Sequence, residues 1–134
     1  MTNTPGAVTD ATADIAMTLI LMSARRASEG ERMVRAGDWT GWHPTQMLGL
    51  HVTGKTVGII GMGRIGEAIA RRCHYGFGMK VIAHDPYVPA GVFEAAGVAP
   101  VSLAELAARS DYVSCHLPLN DQTRGILDAG FFSQ

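Results

Sequence analysis

A chain of 134 residues is long enough for one domain or part of one, and its composition, 47% hydrophobic and 17% charged, is that of a folded α/β core. A formal net charge of −1 with interspersed acids and bases excludes the strongly basic surface of a nucleic-acid or membrane binder, and the apolar stretch 15–24 is too short to span a bilayer. Cys73 and Cys115 have neither disulfide-framework nor zinc-ligand spacing, so we expect free thiols, no metal and a cytoplasmic protein.

The first predicted element is a helix over residues 10–27, which follows turn-forming residues at 2–6. Thr9 or Asp10 can provide its N-cap. The helix is apolar nearly all round, so most of its surface should be covered. A small domain offers too little cover, and a second domain or another subunit is therefore implied.

Residues 28–50 begin with a helical stretch at 29–35, which Gly37 ends. An irregular arm follows, which carries several large apolar or aromatic side chains. Such side chains on an extended segment commonly mark an interface. The alternative is that they cover their own domain. The side chains concerned are Trp39, Trp42, His43, Met47 and Leu48.

A strand over 56–61 and a helix over 64–76 enclose a glycine-rich turn with the spacing G-x-G-x-x-G. Gly61 permits a sharp turn, Gly63 lets a pyrophosphate approach the backbone, and Gly66 lets the helix pack close to the strand. The phosphates would meet free N–H groups at the positive end of the helix. The alternative is a tight strand-to-helix turn that binds nothing.

A second strand over 79–85 ends in Asp85, 85 − 66 = 19 residues after the last glycine. A carboxylate at this place accepts hydrogen bonds from the adenosine ribose and repels a 2′-phosphate. Because Pro86 and Tyr87 follow rather than an arginine, the pattern favours NAD over NADP. The alternative for Asp85 is an Asp-Pro turn at the end of a strand.

The remaining elements continue the alternation of strands and helices, which predicts a parallel, doubly wound sheet with strand order 3-2-1-4. Ser102 and Glu105 have the spacing of a capping box. The predicted elements are a helix near 91–96, a strand near 98–101, a helix over 102–109, a strand over 111–116 and a helix that starts at 128–132.

The fourth strand ends beside Pro118, at the crevice where the strand order reverses and ligands bind. Asn120, Asp121 and Thr123 can hydrogen-bond within the loop that follows. We interpret His116 as a strand-end histidine held by local hydrogen bonds, because no acidic partner lies near it in sequence.

Several motifs in fixed order resemble the NAD-binding domain of the D-isomer-specific 2-hydroxyacid dehydrogenases. The resemblance covers nearly the whole chain. The matching segments are Asn3-Thr-Pro-Gly with Thr12-Ala-Asp14, the run Gly54 to Gly66, Gly76-Phe-Gly-Met79, Asp85-Pro-Tyr87, and Asp111 to Leu119 with Thr123 and Gly125.

The resemblance implies a Rossmann-type sheet of which the first four strands are present, over residues 51–134, and an interdomain helix and dimerisation arm over residues 1–50. It implies NAD as the cofactor and a homodimer as the assembly. The backbone at Gly63, Arg64 and Ile65 would bind the pyrophosphate and Asp85 the ribose. The adenine and nicotinamide side of the crevice would be lined by Leu117, Pro118 and Thr123.

The family transfers a hydride between NAD(H) and a 2-hydroxy or 2-keto acid. Its catalytic arginine, glutamate and histidine lie beyond the point that resembles Gln134, so we expect no catalytic residue and no turnover from this chain alone. Two alternatives stay open. One is an NAD-responsive dimeric regulatory module without catalysis, and the other is a Rossmann-type site for an adenosylated methyl donor.

Overall fold

The computed structural model describes residues 6–134. The turn predicted for residues 2–6 and the motif that begins at Asn3 therefore lie outside the described residues, except for Gly6. The chain forms one parallel sheet in the order β3-β2-β1-β4, as predicted. The strands are β1 (Thr56–Ile60), β2 (Lys80–His84), β3 (Ala99–Pro100) and β4 (Tyr112–Cys115).

Helices precede the sheet, connect its strands or follow the last strand, and most lie within one or two residues of their predicted bounds. The predicted helix over 64–76 continues past α3 as a single π-helical turn, Arg72–Gly76. The capping box of α5 is present, since Glu105 N donates to Ser102 Oγ and Ser102 N donates to Glu105 Oε2. The helices are α1 (Thr9–Arg25), α2 (Ala27–Ala36), α3 (Arg64–Arg71), α4 (Ala90–Ala96), α5 (Leu103–Arg109) and α6 (Ala129–Phe132).

The N-terminus of α1 differs from the prediction. Thr9 and Asp10 both lie inside its first turn, and no side chain caps it. Thr9 N donates to Gly6 O, so the preceding turn winds directly into the helix. At the other end Arg26 adopts the left-handed conformation, with φ of 55°, and separates α1 from α2. The two helices predicted over 10–27 and 29–35 are both present, and the break between them lies at this residue rather than at residue 28.

Helix α1 buries one face against the sheet unit, through Ala13, Met17, Ile20 and Ala24. Met17 Sδ lies 3.7 Å from Cys73 Sγ in this core. Burial raises the pKa of the Cys73 thiol to about 11, so the side chain acts as a small apolar group. Cys115, in contrast, is exposed on β4. Both cysteines are free, as expected.

A cluster of charges fastens α1 to the helical segment after β1. Arg72 Nε lies 2.8 Å from Asp14 Oδ1, and Arg72 Nη2 lies 3.0 Å from Asp10 Oδ1. Asp10 therefore does not provide the predicted cap of α1 but accepts a hydrogen bond from Arg72. The hydrogen bonds to the two carboxylates raise the pKa of Arg72. The apolar contacts and this cluster together hold α1 against the helical segment 64–76.

Several large apolar side chains of α1 and the arm have no cover within the described residues. Ile15 and Leu19 of α1 are 55% and 59% exposed, and Trp42 is 78% exposed. The arm residues Trp39, Leu48 and Leu50 are also exposed. Of the two alternatives for the arm, these exposures favour an interface over packing against its own domain.

Among the described helices, none is long and apolar enough to cross a membrane. Over the same part of the chain, no group of three or more histidine, cysteine, aspartate or glutamate side chains could hold a metal ion.

Candidate cofactor-binding site

The glycine turn starts where β1 ends, at the carboxyl edge of the sheet. Gly61 N donates to His84 O at 2.9 Å, and its φ of 95° lies in the region that favours glycine. A Cβ at this position would lie 2.9 Å from His116 O, at the end of the neighbouring strand. Gly61 is therefore required both by the turn and by the close approach of β4.

Gly66 brings α3 against the strand, as its spacing predicts. A Cβ here would overlap the carbonyl oxygen of Gly61 and would lie 3.4 Å from Ile59 Cγ2. Both obstacles belong to β1 or to the turn that follows it. The missing side chain therefore sets the distance between the helix and the strand.

Gly63 differs from the other two glycines, because its position faces open space. It is the extended N-cap of α3, with φ of −72° and ψ of −173°, and a Cβ there would meet no heavy atom within 4 Å. Glu67 N donates to Gly63 O at 2.9 Å. The amides of Arg64, Ile65 and Gly66 precede this helical bond, so they are available to an anion.

Asp85 lies at the end of β2 and is held against the glycine turn. Its Oδ2 accepts a hydrogen bond of 2.8 Å from Met62 N, inside the turn. Its Oδ1 accepts from Tyr87 N at 2.9 Å, which is the local turn considered as the alternative. A carboxylate has about four acceptor positions, so two remain for ribose hydroxyls. The turn interaction and ribose binding are thus compatible.

The loop after β4 holds the residues predicted to line the other side of the crevice. Leu117, Pro118 and Thr123 line a cavity of about 240 Å³, whose lining includes neither the glycine turn 61–66 nor Asp85. Thr123 Oγ1 donates to Pro118 O at 2.6 Å and accepts from Asn120 N at 2.9 Å, so this predicted wall is internally braced. A cavity of about 540 Å³ between α3 and α4 shares no residue with the crevice.

His116 is held locally, as its position in sequence indicates. Its Nε2 lies 2.8 Å from Ser114 Oγ, and its backbone N donates to Ile60 O. Burial lowers the pKa of the His116 imidazole, which favours the neutral ring. None of the described residues supplies a carboxylate to it, so it lacks the acidic partner of a catalytic base.

Two contacts at this edge escape sequence reasoning. One is the hydrogen bond from Met62 N to Asp85, and the other is the hydrogen bond from Tyr87 Oη to Gln122 Oε1. Neither bond belongs to a local sequence motif. The sequence gives a partial signal for the bond from Met62 N to Asp85. Met62 lies between two glycines of the turn, and its backbone N–H needs a hydrogen-bond acceptor. The second joins residues 35 positions apart, and no pattern in the sequence indicates it.

The fold and the site together define a dinucleotide-binding domain of the Rossmann type. The residues fit the group that this class binds. A Cβ would fill the open space beside Gly63, the first amides of α3 precede the bond from Glu67 N to Gly63 O, and the carboxylate of Asp85 lies beside the turn.

Comparison with known proteins identifies the family. Residues 17–134 match the model of the D-isomer specific 2-hydroxyacid dehydrogenase, NAD binding domain. The chain belongs to this family, and NAD is its cofactor. A glyoxylate reductase of Korarchaeum cryptofilum is 48% identical over 124 residues, which are 92% of this chain and 37% of that protein.

Solved structures agree with the family. A glyoxylate reductase from Paecilomyes thermophila is 42% identical with a TM-score of 0.80, over 92% of this chain and 36% of that one. The D-lactate dehydrogenase from Escherichia coli, in its apo form, is 33% identical with a TM-score of 0.84, over 98% and 40%. The chain therefore spans about two fifths of the length of these relatives.

Proposed function

We propose that this chain is the cofactor-binding portion of an oxidoreductase that transfers a hydride between NAD(H) and a 2-hydroxy or 2-keto acid. The observation that carries the proposal is the carboxylate of Asp85, held on the glycine turn through Met62 N beside the open position at Gly63. The names of the similar proteins, glyoxylate reductase and D-lactate dehydrogenase, support the substrate class. When bound, NAD(H) supplies or accepts the hydride.

In this proposal each sequence-predicted residue has one task. The amides of Gly63, Arg64 and Ile65 bind the pyrophosphate at the amino end of α3. Asp85 accepts hydrogen bonds from the adenosine ribose and disfavours a 2′-phosphate. Gly61 and Gly66 keep the turn and the helix in place for these contacts. The remaining residues, Leu117, Pro118 and Thr123, form the wall of the crevice.

The proposal also includes the arrangement of the intact protein. Residues 1–50 serve as an interdomain helix and a dimerisation arm, and residues 51–134 belong to the nucleotide-binding domain. The exposed apolar side chains of α1 and the arm, Trp42 above all, support a homodimer. Two free thiols support a cytoplasmic protein.

A titration tests the cofactor. We expect the chain to bind NADH more tightly than NADPH or an S-adenosyl compound, because Asp85 is placed to repel a 2′-phosphate. Equilibrium dialysis with each ligand measures the three affinities. Tightest binding of NADPH would contradict the role of Asp85, and tightest binding of the S-adenosyl compound would contradict the dinucleotide site.

We further expect no turnover from the 134-residue chain. Histidines 74, 84 and 116 are hydrogen-bonded to backbone carbonyls or to a serine, and none within residues 6–134 is paired with a carboxylate. The measurement is NADH oxidation, followed at 2-keto-acid concentrations that saturate a similar reductase assayed in parallel. Oxidation above the rate without enzyme contradicts this prediction.

The same lack of a paired histidine keeps a second candidate open, an NAD-responsive dimeric module that regulates without catalysis. The coding sequence that surrounds this chain separates the two candidates. An Arg-Gly motif after a further strand, followed by a glutamate and a histidine, would favour the enzyme. A surrounding sequence without these residues would favour the module.

Replacement of Asp85 by alanine tests the ribose contact. We expect NADH binding to weaken by about 1–3 kcal/mol, because a charged hydrogen-bond acceptor is lost. Discrimination against NADPH should fall as well, since the charge that repels the 2′-phosphate is removed. The ratio of the two dissociation constants is the measurement, and it is insensitive to a general loosening of the turn.

Asp111→Ala is the matched control for this change. Asp111 accepts a 2.8 Å hydrogen bond from Thr56 N, as Asp85 does from Met62 N, but at the opposite end of β1. Asp111→Ala should leave the cofactor ratio as it is in the wild type. A ratio that is unchanged in Asp85→Ala counts against ribose recognition by Asp85.

A further inference from the structure

A hydrogen bond crosses the carboxyl edge of the sheet above the glycine turn. Strand β1 lies between β2 and β4, so the loops that follow β2 and β4 flank the turn on its two sides. Tyr87 belongs to the first loop and Gln122 to the second. Tyr87 Oη donates to Gln122 Oε1 at 2.9 Å. We use the name strap for this pair of side chains.

Each end of the strap is attached to residues of the candidate cofactor site. On one side, Tyr87 N donates to Asp85 Oδ1 at 2.9 Å. On the other side, Gln122 N donates to Asn120 Oδ1 at 2.9 Å, and Asn120 N donates to Thr123 Oγ1. The strap therefore connects the carboxylate assigned to the ribose with the loop that walls the crevice.

The strap is too exposed to be a core contact. The Tyr87 residue is 76% exposed, and Gln122 is exposed as well. A neutral hydrogen bond in water competes with solvent and contributes little to stability, so it breaks and forms readily. Because the bond spans a ligand crevice, its breaking changes access to the crevice more than it changes the fold.

We propose that Tyr87 and Gln122 gate the exchange of dinucleotide, by closing over the adenosine half of the crevice. The inference rests on the proposed cofactor site, because Asp85 marks the adenosine half. Closure obstructs both entry and release, so the strap slows association and dissociation together. Its effect on the equilibrium affinity is smaller, since the two rates change in the same direction.

Surface plasmon resonance with the immobilised chain and NADH tests the gate. We expect Tyr87→Phe, which removes only the hydroxyl, to raise the association and dissociation rates about two- to tenfold, the range for one neutral hydrogen bond. The dissociation constant should change less than either rate. Gln122→Ala should have the same effect, and the double variant should add nothing further, because the two side chains act as a pair.

Tyr75→Phe is the matched control. Tyr75 is 75% exposed, and within residues 6–134 its hydroxyl makes no hydrogen bond, so this variant should keep the wild-type rates. Thermal unfolding of all variants should remain at the wild-type temperature. ADP-ribose should reproduce the changes seen with NADH, whereas nicotinamide mononucleotide, which lacks the adenosine half, should bind every variant alike.

Two results overturn the gate. In the first, NADH associates with and dissociates from Tyr87→Phe at the same rates as Tyr75→Phe. In the second, Tyr87→Phe also changes the binding rates of nicotinamide mononucleotide. Failure of the wild-type chain to bind NADH at all would contradict the cofactor site itself. That failure is distinguishable, because a wrong gate leaves wild-type NADH binding intact.

Discussion

Replacing Gly63 by alanine should remove NADH binding and leave the fold intact. A Cβ at Gly63 meets no heavy atom within 4 Å, so the protein itself has room for the methyl group. The same space is where the pyrophosphate must approach the amides of Arg64 and Ile65. A hydrogen bond to a charged group contributes about 1.5–3 kcal/mol, so we expect NADH affinity to fall by about 10- to 100-fold for each amide contact that is lost. NADH titration and thermal unfolding of the same sample measure the two effects.

Gly91→Ala is the control for the Gly63 variant. Gly91 lies in α4, is exposed and also has open space at its Cβ position. The extra methyl group should therefore leave NADH affinity close to that of the wild type, and the helix propensity of alanine should raise stability by about 1 kcal/mol or less. If Gly63→Ala binds NADH as tightly as Gly91→Ala, the phosphates do not lie at this turn.

The parts of the fold that could be predicted from the sequence are those that depend on neighbouring residues. The glycine turn places its three functions within six positions, and the capping box of Ser102 and Glu105 is a four-residue pattern. The strand order followed from the alternation of strands and helices, since right-handed crossovers leave few topologies. The strand order, the capping box and the close packing at Gly61 and Gly66 are confirmed. Pyrophosphate binding at Gly63 stays a prediction.

The features that could not be predicted depend on contacts between residues far apart in sequence, or on the backbone conformation of a single residue. The break between α1 and α2 is predicted at residue 28, between the helices 10–27 and 29–35, but it occurs at Arg26, a residue that carries no helix-ending signal. Asp10 was available as a cap, but its carboxylate bonds Arg72 from 62 positions away. The bond from Met62 N to Asp85 likewise requires the folded sheet, which brings the ends of β1 and β2 together.

Gly66→Ala should destabilise the whole domain, in contrast to the change at Gly63. The new methyl group would overlap Gly61 O and would crowd Ile59 Cγ2. The first of these is backbone, which cannot turn away as a flexible side chain can. Overpacking of this kind costs about 1–3 kcal/mol or more, and the helix propensity of alanine returns only about 1 kcal/mol of it.

The expected result for Gly66→Ala is a lower midpoint of thermal unfolding together with weaker NADH binding, because the displaced α3 carries the amides of Arg64 and Ile65 away from the turn. An overpacking cost of about 3 kcal/mol leaves a net loss of about 2 kcal/mol, which corresponds to roughly 6–10 °C in a domain of this size. Gly63→Ala serves as the comparison within the same motif, since it should lose binding with a smaller fall in the midpoint, the cost of alanine at an N-cap. A Gly66→Ala protein with the wild-type midpoint would show that α3 can shift without cost. The close packing of α3 on β1 would then not be what requires glycine at this position.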